Sequence, residues 1–482
     1  MDEDSARGPR RPHFGPHTGS PAGPAPAGRR RWLAGAGALA AAWLALPVAA
    51  TRAADEPRAT GGSTPGRPTP GGNALPGADA AAWRIPGDFE PARAIWIGWD
   101  TTHREIGLTL ARELAPHAVV EVAARTEDAR REAREALAAI GLAAPRVNVH
   151  VFPDALYFVR DGAVFATGTG GALGIVDFAW NDYGRPGWCR TLHPRNAAAA
   201  RTCEGNSAQS RQDFDLALAQ HLGAQVLRSP LVAEGGGIES NGQGLMIANA
   251  ALVQQRHPGR PLAELQRLYL QLPGVRKVIW LPAGLAQDPA LRATITGRHV
   301  AWGTGGHTDE FVRFADPRTV LLAWPDEAEA ARHPVARLNL SRMQRNFELL
   351  SRATDVSGRP LRVLKLPLPR TVERRVFLSA AADPGWSEQW SAAWFPAQER
   401  RREGDAVLQV AITSTLNFVV ANGLVLVPGY VEHGTPLATQ ERAQRVLEQA
   451  FPGRSVRFID AITLNWVGAG PHCATLNEPR VR

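Results

Sequence analysis

Cysteine, methionine, tyrosine and lysine are all scarce in this chain of 482 residues. It contains three cysteines, three methionines and four tyrosines, and nearly all of its basic residues are arginine. The formal net charge is +8, but the basic residues are not clustered into a dense run in the body of the chain. Residues 1–54 hold seven arginines against three acidic residues, a net +4, which leaves +4 for residues 55–482. Because a nucleic-acid-binding surface needs clustered basic charge, the composition argues against nucleic acid as a partner.

The three cysteines also lack the spacing of a structural metal site. No Cys-x-x-Cys pair occurs, so we expect no bound metal. Cys189 and Cys203 lie close together in the loop-like stretch 186–210, where they could form a disulfide in an oxidising compartment. Cys473 would then be the odd thiol. It is either a small buried hydrophobic residue or a reactive nucleophile on a glycine-rich loop.

The first 54 residues have the organisation of an export signal. The run Arg29-Arg30-Arg31-Trp32-Leu33 precedes a weakly apolar Ala/Leu/Gly segment, which ends in small residues. Two arginines followed by an aromatic residue and leucine resemble a twin-arginine signal, so we expect a periplasmic or secreted protein. An uncleaved membrane anchor is the alternative. Residues 55–82, rich in Gly and Pro, are predicted to be a disordered linker, and residues 83–482 the folded domain.

Hydrophobic periodicity predicts alternating helices and strands in this domain. The predicted strands are 94–99, 147–152 and 456–464, and the predicted helices are 127–140, 214–222, 262–270, 327–350 and 439–451. A polar cluster followed by a tight turn and an apolar strand recurs four times, twice with an Asn-Gly turn. This recurrence predicts a pseudo-repeated α/β architecture closed around a centre.

Units arranged around an axis would bring their polar clusters into one pocket. The residues that would meet there are Asp161, Glu234, His307, Asp309, Asn417 and Cys473. Paired carboxylates are costly to bury without a cation, and a planar guanidinium matches two carboxylates bidentately. A thiolate could attack the guanidinium carbon while the imidazole protonates departing ammonia and then activates water. Taken singly, Asp161 could instead form a surface ion pair with Arg160, and His307 could occupy a simple turn.

Five short motifs carry a resemblance to a known family. They are Phe158-Val159-Arg160-Asp161-Gly162, Glu234-Gly235-Gly236-Gly237-Ile238, Gly306-His307-Thr308-Asp309, Thr415-Leu416-Asn417-Phe418 and Gly470-Pro471-His472-Cys473-Ala474-Thr475. In this order the chain resembles the agmatine deiminase and Porphyromonas-type peptidylarginine deiminase family of the guanidine-modifying superfamily. The resemblance implies a five-bladed α/β propeller, the pentein fold, with pseudo-five-fold ββαβ units around a central active site.

The resemblance also implies roles for individual residues and no metal or organic cofactor. Cys473 would be the nucleophile and His307 the general acid and base, with Glu234 orienting the imidazole. Asp161 and Asp309 would hold the guanidinium. Phe158 would pack on the aliphatic arm of the substrate, Asn417 would line the pocket, and His472 would be structural.

The substrate stays open at this stage. Asp182 stands roughly where peptidylarginine deiminases that clamp a terminal carboxylate have an arginine, and Arg185 is the remaining nearby cation. An acidic residue there favours agmatine, which would give N-carbamoylputrescine and ammonia in putrescine biosynthesis. The export signal favours arginine-containing peptides, which would give peptidylcitrulline, or free guanidines. An amidinotransferase and a non-catalytic guanidine-binding protein are further alternatives. The surroundings of Cys473 argue against a papain-like protease. The sequence does not indicate an oligomeric state.

Overall fold

The computed structural model describes residues 82–205, 213–380 and 389–481. The predicted signal segment, 1–54, and all of the predicted linker except Ala82 lie outside these residues, and the first strand begins at Trp83. Within the described ranges, no helix combines the length and the apolar character that crossing a membrane requires.

The described residues form twenty-one strands and twelve α-helices. The strands are β1 (Trp83–Arg84), β2 (Ala92–Trp99), β3 (Val119–Ala124), β4 (Val147–Val151), β5 (Val164–Gly168), β6 (Leu173–Asp177), β7 (Gln225–Arg228), β8 (Ile238–Ser240), β9 (Leu245–Asn249), β10 (Lys277–Leu281), β11 (Ala290–Thr296), β12 (His299–Thr304), β13 (Val312–Phe314), β14 (Thr319–Trp324), β15 (Arg362–Pro367), β16 (Glu373–Phe377), β17 (Ala406–Val410), β18 (Val419–Ala421), β19 (Leu424–Gly429), β20 (Ser455–Asp460) and β21 (Thr475–Pro479). The helices are α1 (Arg104–Leu114), α2 (Glu127–Ala139), α3 (Val159–Gly162), α4 (Arg185–Leu192), α5 (Ala197–Glu204), α6 (Phe214–Leu222), α7 (Ala250–Arg256), α8 (Leu262–Tyr269), α9 (Glu327–Arg332), α10 (Pro334–Ser351), α11 (Leu437–Ala450) and α12 (Ile462–Asn465).

Five sheets repeat one arrangement, in which an antiparallel pair of strands is extended by a parallel strand. The repeated sheets are β5-β6-β7, β8-β9-β10, β13-β14-β15, β18-β19-β20 and β21-β2-β3-β4, and β1 adds to the edge of the first. In the last of these, β21 from the end of the chain pairs with β2 from the start of the domain. A sixth sheet, β11-β12-β17-β16, departs from the repeat and is called the inserted sheet below.

Two of the repeated units use the Asn-Gly turns that the sequence predicts. Gly242 and Gly423 have φ angles of 70° and 81°, which glycine adopts without a steric penalty. The side chain of Asn241 supports its turn by accepting hydrogen bonds from the backbone N–H groups of Gln243 and Leu245. Strands such as β19 are almost wholly buried, as expected for a strand covered on both faces.

The predicted helices over 127–140, 214–222 and 262–270 are confirmed as α2, α6 and α8. The single helix predicted over 327–350 is wrong, because it divides into α9 and α10 at His333, whose backbone is extended. Pro334 causes the division, since a proline disfavours the helical conformation of the residue before it. The strand predicted over 456–464 ends at Asp460, and α12 follows it.

The segment 185–205, which includes the described part of the predicted loop 186–210, is more ordered than its composition predicts. It contains α4 and α5, and a disulfide between Cys189 and Cys203 joins the two helices with a Cα–Cα distance of 5.7 Å. Cys473 is a free, buried thiol. The cysteine pairing proposed from the sequence is therefore confirmed.

Candidate active site

The five repeated sheets place their polar residues at equivalent positions. Asp161, Glu234, Asp309, Asn417 and Cys473 each lie within a few residues of the first strand of a unit, namely β5, β8, β13, β18 and β21. All five are buried, and so is His307, two residues before Asp309. The distances given below show that the repeat brings together the set predicted from the sequence.

Cys473 lies between an amide and a carboxylate. Its Sγ accepts a hydrogen bond from Asn417 Nδ2 at 3.3 Å and is 3.6 Å from Asp309 Oδ2. Burial, together with the negative charges of Asp309 and Glu310, raises the pKa of the Cys473 thiol well above its usual range. Without a nearby cation, the protein therefore holds a neutral thiol.

His307 lies between two carboxylates on opposite sides of its ring. Nδ1 is 3.7 Å from Asp161 Oδ1, and Nε2 is 3.5 Å from Glu234 Oε2. Burial opposes the charged imidazolium, but Asp161 and Glu234 outweigh it and raise the pKa of His307 to about 9. Burial, with repulsion from Asp309 and Glu234 and despite attraction to His307, raises the pKa of Asp161 to about 6. At neutral pH His307 is thus a charged acid beside an ionised Asp161.

Glu234 has a second partner that sequence reasoning missed. Arg256, at the end of α7, is buried and donates from Nε to Glu234 Oε1 at 2.8 Å. Burial favours the neutral carboxyl, but the charge of Arg256 prevails and lowers the pKa of Glu234 to about 2. Glu234 is therefore ionised throughout the physiological range and stabilises the charge of His307.

Asp288 holds the loop that carries His307. Its carboxylate accepts hydrogen bonds from the backbone N–H groups of four successive residues, Thr304 to His307. Gly305 and Gly306 have φ angles of 104° and 97°, a region that residues with a Cβ rarely adopt. The Gly-Gly pair before His307 is a local signal of this turn, whereas nothing near Asp288 in the sequence points to its role.

His472, predicted to be structural, links Asp309 to another carboxylate. Its Nδ1 is 2.8 Å from Asp309 Oδ2, and its Nε2 is 2.6 Å from Asp88 Oδ2. Asp88 also accepts hydrogen bonds from Arg160 and Arg313. His472 therefore fixes the orientation of Asp309, and the surface ion pair of Arg160 with Asp161 does not form because Arg160 is buried against Asp88.

Several buried polar atoms of the candidate active site make no hydrogen bond to another described residue. They are both ring nitrogens of His307, Asp309 Oδ1, Glu234 Oε2 and Glu310 Oε2. Gly236 lies directly beside these atoms. A Cβ at this position would be 2.6 Å from His307 Nδ1 and 3.0 Å from both Asp161 Oδ1 and Asp309 Oδ2, so only glycine leaves this space open. Buried polar groups are normally paired, so the carboxylate oxygens of this set suit a planar cation with several N–H donors.

Tyr183 connects this set to a pocket of about 200 Å³. Its hydroxyl donates to Asp161 Oδ2 at 3.0 Å, and its ring lines the pocket together with Phe158 and Trp302. Tyr183 has a φ of 57°, in the left-handed region, so the turn holds it in a strained conformation. No sequence motif indicated this role for Tyr183.

The two residues predicted to discriminate substrates face each other. Arg185 Nε donates to Asp182 Oδ2 at 2.5 Å, and both side chains are buried. The charge of Asp182 is thus neutralised within the protein, which does not favour its predicted contact with an amine-bearing arm. Phe158, in contrast, lines the pocket, where it was expected to meet the substrate's aliphatic arm.

Comparison with known proteins identifies the family and the fold. The family model described as Porphyromonas-type peptidyl-arginine deiminase matches residues 84–479. The chain is 26% identical to the agmatine deiminase of Stutzerimonas stutzeri (strain A1501), over 82% of this chain and 95% of the relative. It is 25% identical to that of Pseudomonas fluorescens, over 82% and 89%. Among solved structures, the agmatine deiminase of Enterococcus faecalis matches with a TM-score of 0.63 and 20% identity, over 85% of this chain and 98% of that one. That last likeness supports the pentein fold.

Proposed function

The chain belongs to the Porphyromonas-type peptidyl-arginine deiminase family, and on that premise we propose that it converts agmatine to N-carbamoylputrescine and ammonia. It is a guanidine deiminase, a hydrolase that acts on the C–N bonds of linear amidines. The observation that carries the proposal is the buried set of Asp161, Asp309, His307 and Cys473, beside carboxylate oxygens of Asp309 and Glu310 that have no hydrogen-bond partner among the described residues. Relatives that align along most of the chain and are agmatine deiminases support the choice of substrate.

The pocket beside Tyr183 supports a small substrate with a second positive charge. Its volume of about 200 Å³ is below the usual range for drug-sized ligands, so it suits a molecule such as agmatine better than a folded peptide segment. Asp100 lines the pocket, and its side chain is 39% exposed. Burial opposes its charge, but hydrogen bonds from His103 lower the pKa of Asp100, so an ionised carboxylate is available there. We assign it, rather than Asp182, to the amine of agmatine.

The first half of the reaction uses the charge of the substrate. The guanidinium binds between Asp161 and Asp309 and supplies the cation that the thiol lacks, so Cys473 loses its proton as the substrate binds. Asp309 Oδ2, 3.6 Å from Sγ, is a proton acceptor within reach. The thiolate then forms a bond to the guanidinium carbon. The imidazolium of His307 protonates one amino group, which leaves as ammonia and gives a covalent thiouronium on Cys473.

The second half reverses the role of His307. The neutral imidazole takes a proton from water, and the resulting hydroxide attacks the thiouronium carbon. Cleavage of the C–S bond releases the Cys473 thiolate, which takes the proton of the new hydroxyl group and leaves a neutral ureido group. The proton that Asp309 received from the thiol converts the released ammonia into ammonium. Over both halves, one guanidinium cation and one water give one ureido product and one ammonium ion.

Ammonia release from a panel of guanidines tests this proposal. We expect kcat/KM for agmatine to exceed that for free arginine and for peptides with internal or C-terminal arginine. A preference for a peptide would favour peptidylarginine as the substrate. Mass spectrometry in the presence of glycine or lysine separates hydrolysis from amidino transfer, because transfer would place the amidino group on the added amine. Absence of turnover with every member of the panel would contradict the proposal.

We also propose that the protein is exported through its twin-arginine-like segment. The disulfide between Cys189 and Cys203 supports this, because disulfides persist in oxidising compartments. The test is fractionation of cells that express the full chain or a variant with Lys at positions 29–31. We expect the unaltered protein in the periplasm or medium and the variant in the cytoplasm. Equal distribution of the two would refute the twin-arginine route.

A further inference from the structure

Three side chains that commonly bind transition metals meet on the inserted sheet. His299 begins β12, Glu373 begins β16, and His333 lies at the division between α9 and α10. The Nε2 atoms of His299 and His333 lie 3.2 and 3.3 Å from the same oxygen, Oε2 of Glu373. These residues are separate from the set around Cys473 and have no part in the proposed reaction.

The distances match those between ligands of one metal ion. Zinc binds histidine nitrogen and carboxylate oxygen at about 2.0–2.2 Å, so neighbouring ligands of a tetrahedral ion lie about 3.3 Å apart. The potential ligand atoms of the three residues all lie within 4.8 Å of one another. Side-chain exposures of 15%, 22% and 33% leave room for a water molecule as a fourth ligand.

A backbone contact prepares the imidazole of His299 for this role. Its Nδ1 lies 3.2 Å from the carbonyl oxygen of Thr296, which can only accept a hydrogen bond. The proton of a neutral imidazole is therefore held on Nδ1, and the lone pair remains on Nε2, which faces Glu373. Metal-binding histidines commonly use the second nitrogen in this way.

The fold, rather than chance contact of flexible side chains, brings the three residues together. Strand β17 lies between β12 and β16, with His299 opposite Leu408 and Glu373 opposite Val410. Leu408 and Val410 are two residues apart on one strand, so His299 and Glu373 share a face of the sheet. The extended backbone of His333 places its ring 5.1 Å from that of His299.

We propose that His299, His333 and Glu373 bind a divalent transition metal of the zinc class. Two imidazoles and one carboxylate suit zinc, whereas calcium and magnesium prefer oxygen ligands alone. The metal would clamp the α9–α10 junction to the inserted sheet. Sequence analysis predicted no metal because the three ligands are widely spaced along the chain and form no short motif. The competing arrangement is a pair of histidine–glutamate hydrogen bonds, in which protons take the place of the metal.

Calorimetric titration with zinc chloride alone tests the proposal. The parent is the full chain with Cys473→Ala, which removes the thiol from a second cluster of possible ligands, Asp309, Glu310 and Cys473. We expect the His333→Ala and Glu373→Gln variants of this parent to lose one bound zinc per chain, or to bind it at least about tenfold more weakly. Glu373→Gln keeps the size of the side chain, so it still tests the proposal if His333→Ala does not fold.

His433→Ala is the matched control, because His433 Nε2 pairs with a single carboxylate, Asp460, at 3.0 Å, and no second histidine of the described residues joins that pair. We expect it to bind zinc as the parent does. Zinc should also raise the melting temperature of the parent and of His433→Ala more than that of Glu373→Gln. Equal zinc affinity in the parent, His333→Ala and Glu373→Gln would overturn the proposal and identify the cluster as hydrogen-bonded ion pairs.

Discussion

Replacing Glu234 by glutamine should lower the pH above which kcat/KM begins to fall. In the proposed mechanism His307 must carry a proton when the substrate binds, and its pKa is about 9. The pH dependence of kcat/KM reports the groups of the free enzyme. Activity of the unaltered enzyme should therefore fall above about pH 9, and below about pH 6, where Asp161 becomes protonated.

The size of the change follows from the geometry. A unit charge on Glu234, 3.5 Å from His307 Nε2, is worth about 5 kcal/mol at an effective dielectric constant of 20, which is an upper limit. Opposite charges at such distances usually shift a pKa by about one to three units. Glutamine removes this attraction but keeps the size of the side chain, and Arg256 is left without its counter-charge. We expect the alkaline limb of kcat/KM to move down by about one to three pH units.

The assay is ammonia release from agmatine between pH 5 and 10. Glu121→Gln is the matched control, because Glu121 is also buried and contacts a histidine, His150, at 2.8 Å. It contributes no group to the candidate active site, so its profile should match that of the unaltered enzyme. An alkaline limb of Glu234→Gln within about half a pH unit of the unaltered one would refute the reasoning, because His307 would then owe little of its proton affinity to Glu234.

Three other substitutions address the remaining steps. Asp309→Asn should lower kcat/KM about 30- to 1,000-fold, through both KM and kcat, because it removes a carboxylate that binds the guanidinium and accepts the proton of Cys473; steady-state kinetics measures the division. Gly236→Ala would place a Cβ 2.6 Å from His307 Nδ1 and should lower kcat/KM about 100-fold. Gly187→Ala, whose Cβ would meet Arg190 Nη2 at an ordinary contact distance of 4.0 Å, should change kcat/KM less than about twofold. Tyr183→Phe removes a hydrogen bond to the charged form of Asp161, so the acid limb of kcat/KM should rise by about half to one pH unit.

The sequence predicted the site residues that lie beside the strands of the repeat, but it did not predict the residues that hydrogen-bond to them and fix their positions. Cys473 and His307 stand in short motifs at equivalent places, so their meeting follows from the repeat. Asp88 was missed because its partner His472 lies 384 residues away along the chain. Asp288 was missed although its partners lie 16 to 19 residues away, because they are backbone N–H groups, which carry no sequence signal. No local pattern reports such a contact. The division of the helix at His333 was missed although Pro334 is a local signal of it.

The positive charge of the substrate neutralises the carboxylates of the candidate site. Asp161 and Asp309 face the thiol, and burial beside such carboxylates keeps Cys473 protonated in the free protein. A guanidinium between the two carboxylates removes their unpaired charge and favours the thiolate in the same step. The proposed reaction then replaces this cation with a neutral ureido group, which lacks the attraction that drew the substrate in. The carboxylates attract the positively charged guanidinium of the substrate but not the neutral ureido group of the product. The charges that bind the substrate therefore also favour release of the product.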